Sequence, residues 1–105
     1  MNLDKDTAAV HAMLSGWSLV VYLTSFDGEP GIGFYSQQRK EWLRTAVGAV
    51  ITRSTCHSSH MQEAKLAEVP NDLFWRLFDR LILLGLIPPV TGYTHNDSGY
   101  DIEDL

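Results

Sequence analysis

The segment Cys56-His57-Ser58-Ser59-His60 holds the side chains of this sequence that are best suited to metal binding or nucleophilic chemistry. Thiolate and imidazole groups are common zinc ligands, and His57 and His60 would share one face of a turn. A structural zinc site normally has a second ligand pair of matching spacing, and the remaining histidines, His11 and His95, are distant and isolated. We therefore expect a polar loop that leads into a capped helix, with no bound metal and no cofactor.

Cys56 and His57 are also the two residue types of a cysteine nucleophile and its base. Adjacent residues rarely point at each other, and a nucleophile needs a base that a third group orients. The sequence has no Gly-x-Ser-x-Gly, no phosphate-binding glycine loop and no His-Glu-x-x-His. We therefore predict that the protein is not an enzyme and has no catalytic residues. A small enzyme or metal protein built on Cys56, His57 and His60 is the second alternative.

Amide and basic side chains form another group at Gln37-Gln38-Arg39-Lys40, followed by Trp42 and Arg44. Such a mixture on one helix is typical of a nucleic-acid-binding surface. Phosphate contacts dominate the affinity for nucleic acid, and a net charge of −5 is unfavourable for them. A nucleic-acid-binding regulator that uses the basic helix around Arg39–Arg44 is therefore the first alternative, not the preferred function.

The last sixteen residues, 90–105, combine acidic side chains with apolar ones. This segment has four acidic residues and no Lys or Arg, so the rest of the chain is nearly neutral, with nine acidic and eight basic residues. Aromatic and aliphatic side chains among acids suit docking on a basic, partly apolar surface. The residues that we predict to bind a partner here are Tyr93, Tyr100, Asp101, Glu103 and Asp104.

The segment 26–31 is a second candidate contact surface. Its sequence, Phe-Asp-Gly-Glu-Pro-Gly, is rich in turn-forming residues. An exposed Phe at the tip of a hairpin would anchor a partner. Phe26, Asp27 and Glu29 therefore join the predicted partner-binding residues.

Hydrophobic periodicity predicts the elements that would position these groups. A first helix begins at Asp4 or Asp6, runs to about Leu14 and is closed by Gly16; one of its faces carries Val10, Met13 and Leu14. The period then changes to two residues, with apolar side chains on both faces, and a returning strand follows the turn. This pattern predicts a hairpin over about 17–35.

Further helices are predicted after the hairpin. One spans about 37–51, with Ser36 as its cap and an apolar stripe that includes Trp42 and Leu43. A capping-box pattern predicts a short helix over about 59–68. The strongest pattern, about 72–84, predicts a core helix with Arg76, Asp79 and Arg80 on the face opposite its apolar residues.

These elements predict an α+β fold in which a small antiparallel sheet packs against three or four helices. We expect residues 1–89 to form a single globular domain and residues 90–105 to form an acidic, tyrosine-containing C-terminal segment. The single cysteine, Cys56, rules out an internal disulfide, which favours a reducing cytoplasm. The longest apolar stretch is too short to span a bilayer.

The function that we predict from these features is a small cytoplasmic inhibitor or adaptor that occupies a surface of a larger protein partner. The acidic segment favours a partner with a basic surface, and a homodimer is possible because a short sheet has an open edge. Phage or plasmid counter-defence proteins and immunity proteins have this general build. That comparison is an analogy of size and charge alone.

Overall fold

A five-stranded antiparallel sheet, with strand order β4-β3-β2-β1-β5, organises the fold. The computed structural model describes residues 3–22, 31–45, 51–55, 61–91 and 93. Along the chain, the elements in these ranges are α1 (Lys5–Leu14), β1 (Ser18–Tyr22), β2 (Gly31–Ser36), β3 (Glu41–Thr45), β4 (Ile51–Thr55), β5 (Met61–Glu63), a 3-10 turn (Leu66–Glu68) and α2 (Asn71–Leu83).

The prediction of three or four helices is wrong, because the described residues contain two α-helices; the α+β class itself is confirmed. The predicted helix over 37–51 is replaced by a turn at 37–40 and strand β3. Trp42 and Leu43 are both buried, but on opposite faces of the sheet. When both faces of a strand are covered, adjacent residues of the strand are apolar, and such pairs also occur in the apolar stripe of a helix. This similarity explains why a helix was predicted here.

Two further differences concern the chain after β3. Residues 53–55, for which we predicted neither a helix nor a strand, belong to strand β4, which pairs with β3. The region predicted as a helix over 59–68 contains the short strand β5 and the 3-10 turn. β5 pairs with β1 through Val20 and Glu63. In both cases the structure depends on pairing with a neighbouring strand. A local sequence pattern does not predict that pairing, because the partner strand is distant in sequence.

The two faces of the sheet have separate apolar clusters. On the helix side, Leu19, Phe34 and Leu43 belong to the main core together with residues of α1 and α2. The other side carries Val20, Tyr35 and Trp42, with Met61 packed against them. Gly33 lies in β2, where an added Cβ would collide with the backbone carbonyl of Leu43, so only glycine allows β2 and β3 to approach this closely.

α2 is the main core helix, as its sequence pattern predicts. Its residues Phe74, Leu77, Phe78 and Leu81 are fully buried. The predicted polar face of α2 is partly wrong, however, since Asp79 and Arg80 are each only 2% exposed. The chain after α2 accounts for part of this burial, because it returns to the helix and places Tyr93 against Asp79.

Candidate protein-contact surface

The start of α1 is fixed by Asp4, one of the two predicted capping residues. The Thr7 backbone N–H donates a hydrogen bond of 2.7 Å to Asp4 Oδ1. A side-chain acceptor at this position satisfies an N–H group that has no partner within the helix. The same bond lowers the pKa of the Asp4 carboxyl below its ordinary value, because it favours the charged form.

Lys5 holds the beginning of α1 against the beginning of α2. Its Nζ donates to the Val69 carbonyl at 2.6 Å and to Asn71 Oδ1 at 3.0 Å. Further along, the His11 ring meets the Phe78 ring edge to face, with centroids 6.5 Å apart. The two helices therefore run in the same direction and end at the same side of the molecule.

Glycine ends α1 at the position that the sequence predicts. Gly16 has φ 95°, a left-handed conformation that glycine adopts without strain. Its N–H bonds to the Met13 carbonyl at 3.0 Å, and the Trp17 N–H bonds to the Ala12 carbonyl at 2.9 Å. This pair of bonds is a Schellman motif, and the buried side chains of Trp17 and Ala12 provide the apolar contact that accompanies it.

The inner face of α1 is formed by small residues and its outer face by large ones. Ala8 and Ala12 are fully buried in the main core. Val10, Met13 and Leu14 are 47%, 55% and 81% exposed, respectively. At about 100° per residue these three lie on the side of the helix opposite the alanines, with Val10 one turn before both Met13 and Leu14. We call Val10, Met13 and Leu14 the α1 surface.

The elements at this end of the molecule carry few titratable groups. Residues 7–22 and 81–91 contain no Asp, Glu, Lys or Arg. Leu83, which occupies the last helical position of α2 as Leu14 does in α1, is also 45% exposed. The segments that follow the α1 surface therefore lack charge, whereas the exposed Asp6 lies one turn before Val10 on the same face. An apolar centre with a charge at its edge is typical of a protein interface.

Tyr93 is the single predicted partner-binding residue that lies within the described ranges. It is half-buried, its ring stacks on Trp75 with centroids 5.9 Å apart, and its hydroxyl donates to Asp79 Oδ1 at 3.2 Å. Burial, and then the charge of Asp79, raise the pKa of the Tyr93 hydroxyl. Tyr93 and Val90 thus pack against the core of their own chain.

The other predicted partner-binding residues lie outside the described ranges, and their role stays a prediction. They are Phe26, Asp27, Glu29, Tyr100, Asp101, Glu103 and Asp104.

The basic residues of the first alternative are not on a helix. Arg39 and Lys40 lie in the turn between β2 and β3, where the Arg39 N–H donates to Ser36 Oγ at 3.2 Å and Lys40 has φ 57°. Arg44 lies in β3, with its guanidinium 5.2 Å from the centroid of the Trp42 ring. The helical surface on which that alternative rested is therefore absent from this region.

The second alternative rested on Cys56, His57 and His60, which lie outside the described residues. Within the ranges that the structure does describe, no group of three or more His, Cys, Asp or Glu side chains is placed to hold a metal ion. In the same part of the chain, no helix is long and apolar enough to cross a membrane.

The spacing of Val10, Met13 and Leu14 predicts that they share one face of α1, but it does not predict that this face is exposed. Ala8 and Ala12 are also one turn apart and form a competing apolar face. Large side chains normally face the core, so a pattern alone favours the wrong face here.

Comparisons with protein-family models, with curated proteins and with solved structures found no match to this chain.

Proposed function

We propose that this protein acts by binding another protein through the α1 surface, as a small inhibitor or adaptor and not as an enzyme. The observation that carries the proposal is the orientation of α1, which turns its alanines to the core and Val10, Met13 and Leu14 to solvent. Single exposed apolar residues are normal on protein surfaces. Three on one stripe are a feature of contact sites. The exposed Asp6, one turn before Val10, places a charge at the N-terminal end of this stripe.

The spacing of the three residues matches a known mode of recognition. Apolar side chains at positions i, i+3 and i+4 of a helix are the anchors that enter an apolar groove of a partner. Full burial of a Val, Leu or Met side chain contributes about 1.5–3 kcal/mol. Val10 and Met13 are about half exposed and Leu14 is 81% exposed in the free chain. Binding can therefore add about half of that contribution at Val10 and Met13 and most of it at Leu14.

The acidic segment 90–105 and the turn 26–31 remain proposed secondary contacts, through Tyr100, Asp101, Glu103 and Asp104 and through Phe26, Asp27 and Glu29. A partner with a basic surface would suit them, because acidic side chains steer association and mainly raise its rate. A reducing, cytoplasmic location is part of the proposal, since the chain has a single cysteine.

Site-specific photo-crosslinking in the cells that naturally express the chain tests this function. A photoreactive phenylalanine analogue replaces Leu14 at the end of α1. The matched control carries the same analogue at Asp72, an exposed residue in the first turn of α2 and therefore at the other end of the helix pair. We expect a cross-linked polypeptide from position 14 and not from position 72. We also expect Met13→Asp to abolish the adduct, because a charge in the α1 surface would be buried without a partner.

Two outcomes would contradict the proposal. The first is the absence of an adduct from position 14. The second is an adduct that Met13→Asp leaves unchanged, since contact elsewhere on the molecule would then explain it.

A further inference from the structure

Met13 is the residue of the α1 surface that a covalent reaction can change from an apolar to a polar form. Oxidation of a methionine thioether gives a sulfoxide, which is polar and which methionine sulfoxide reductases convert back. We propose that the α1 surface is redox-sensitive, with oxidation of Met13 weakening the binding and reduction restoring it. This inference rests on the proposed function, because it describes a regulation of the same surface.

Exposure makes Met13 more accessible to an oxidant than the other methionine in the described ranges. Met13 is 55% exposed and lies in the last turn of α1. Met61 is half-buried and packs against Val20, Tyr35 and Trp42 on the sheet face away from the helices. Since oxidation depends on access to the side chain, the Met13 sulfoxide should form faster than the Met61 sulfoxide.

The reaction needs a peroxide as the oxidant and a dithiol as the reductant. The Met13 sulfur attacks one peroxide oxygen, so that an S–O bond forms and the O–O bond breaks. With hydrogen peroxide the other oxygen takes up the remaining proton and leaves as water; the sulfur loses two electrons and the peroxide gains them. In the reverse reaction, which a reductase catalyses, two thiols form a disulfide and the sulfoxide oxygen leaves as water.

The position of Met13 separates the effect of oxidation on binding from its effect on folding. α1 packs on the core through Ala8 and Ala12, whereas Met13 lies on the opposite side of the helix. In the free chain, water can therefore hydrogen-bond to the sulfoxide oxygen. A contact that buries Met13 against apolar side chains removes that water and offers no replacement donor, which is unfavourable. Oxidation should accordingly weaken binding and leave the fold intact.

Photo-crosslinking with the oxidised and the reduced full chain tests the inference. The purified chain with the photoreactive analogue at position 14 is treated with hydrogen peroxide, freed of the oxidant and added to an extract of the cells that naturally express it. Each of the three methionines lies in a different tryptic peptide, so mass spectrometry quantifies the Met13 sulfoxide separately.

We expect oxidation to raise the chain concentration needed for half-maximal adduct by at least about fivefold. Treatment with methionine sulfoxide reductases of both stereospecificities and dithiothreitol should restore the original value, because each enzyme reduces one epimer of the sulfoxide.

Met13→Leu is the matched control, because it keeps an apolar side chain and has no sulfur at position 13. Its adduct should be insensitive to peroxide. Met13→Gln places a polar side chain there and should weaken the adduct without any oxidant. Circular dichroism and the unfolding midpoint should show that the oxidised chain and both variants keep the fold. If peroxide damages the fold through another residue, the comparison of Met13→Gln with Met13→Leu decides the question.

An oxidised chain that cross-links as well as the reduced chain overturns the inference. An equal loss of adduct in oxidised Met13→Leu, with the fold intact, also overturns it, since another oxidised residue would then be responsible. The proposed function fails separately. If the reduced chain gives an adduct that oxidation of Met13 does not weaken, protein binding stands and redox sensitivity does not. If the reduced chain gives no adduct, both fail.

Discussion

α1 and α2 run side by side in the same direction and end in the same way, but they bury opposite kinds of residue. At the end of α2, the Gly85 N–H bonds to the Ile82 carbonyl at 3.0 Å and the Leu86 N–H bonds to the Leu81 carbonyl at 2.9 Å, as in the Schellman motif of α1. α2 buries phenylalanine and leucine, whereas α1 buries two alanines.

The difference shows that the two helices have different roles. The side chains of α2 fill the core, so its sequence is determined by packing. α1 approaches the core closely through alanine, and its large side chains lie outside that packing. The apolar residues of α1 therefore do not serve mainly to stabilise the fold, and binding is the role that we propose for them.

Replacing Phe78 with alanine is the strongest way to test the role of α2. Phe78 is fully buried and contacts the rings of Phe74, Trp75 and Tyr93, so the free energy of unfolding should fall by about 3–5 kcal/mol. Urea denaturation measures this change. Leu14→Ala in α1 is the control and should shift stability by no more than about 0.5 kcal/mol. Equal losses in the two variants would remove the distinction between the helices.

A larger side chain on the inner face of α1 should cause the next largest loss in the free energy of unfolding. Ala12→Leu adds a branched side chain at a fully buried position, and overpacking of this kind costs about 1–3 kcal/mol. Thermal and urea unfolding should both report the loss. Met13→Leu, a neighbouring change on the exposed side, should have almost no effect on the free energy of unfolding. A stable Ala12→Leu protein would mean that the alanines do not set the distance between α1 and the core.

The smallest change in the free energy of unfolding is expected for a substitution at Tyr93, where the chain after α2 returns to that helix. Tyr93→Phe keeps the ring and removes the hydrogen bond to Asp79, so stability should fall by about 1 kcal/mol at neutral pH. Because the pKa of the Tyr93 hydroxyl is raised on folding, its contribution is complete below about pH 10 and decreases as the pH rises further.

The difference in unfolding free energy between wild type and Tyr93→Phe should therefore shrink above that pH. A difference that is constant up to pH 11 would show that the hydroxyl is not held as a neutral donor in the folded protein.

Sequence patterns predicted the elements that depend on local interactions. The bounds of α1, with Asp4 and Gly16 at its ends, follow from capping and from glycine, which act within a few residues. β1 and β2 pair as the predicted hairpin, and α2 lies where its pattern places it. These elements carry strong signals because a single type of period continues through each of them.

The region around β3 and β4 could not be predicted in the same way. Ser36 was expected to cap a helix, and its hydroxyl does accept an N–H bond from a residue three positions later, Arg39. The same bond closes a hairpin turn here, so it does not distinguish the two structures. What decides between them is pairing of β3 with β2 and β4, which depends on residues distant in sequence.

The candidate surface was predictable only in part. The spacing of Val10, Met13 and Leu14 indicates a shared face, but its direction depends on how closely α1 approaches the sheet. The placement of α1 also involves contacts with the chain before α2, such as Lys5 with Val69, which are 64 residues apart. No pattern within α1 contains this information.

The two helix-ending glycines have a consequence for chirality. A Cβ added at Gly16 or Gly85 would find no atom within 4 Å, so there is room for a side chain at both positions. Their φ angles of 95° and 72° are unfavourable for an L-amino acid and favourable for its mirror image. At Gly16 and Gly85, therefore, the backbone conformation disfavours L-amino acids although there is room for a side chain. At Gly33 the reason is different, because the backbone of β3 occupies the space that a Cβ would need.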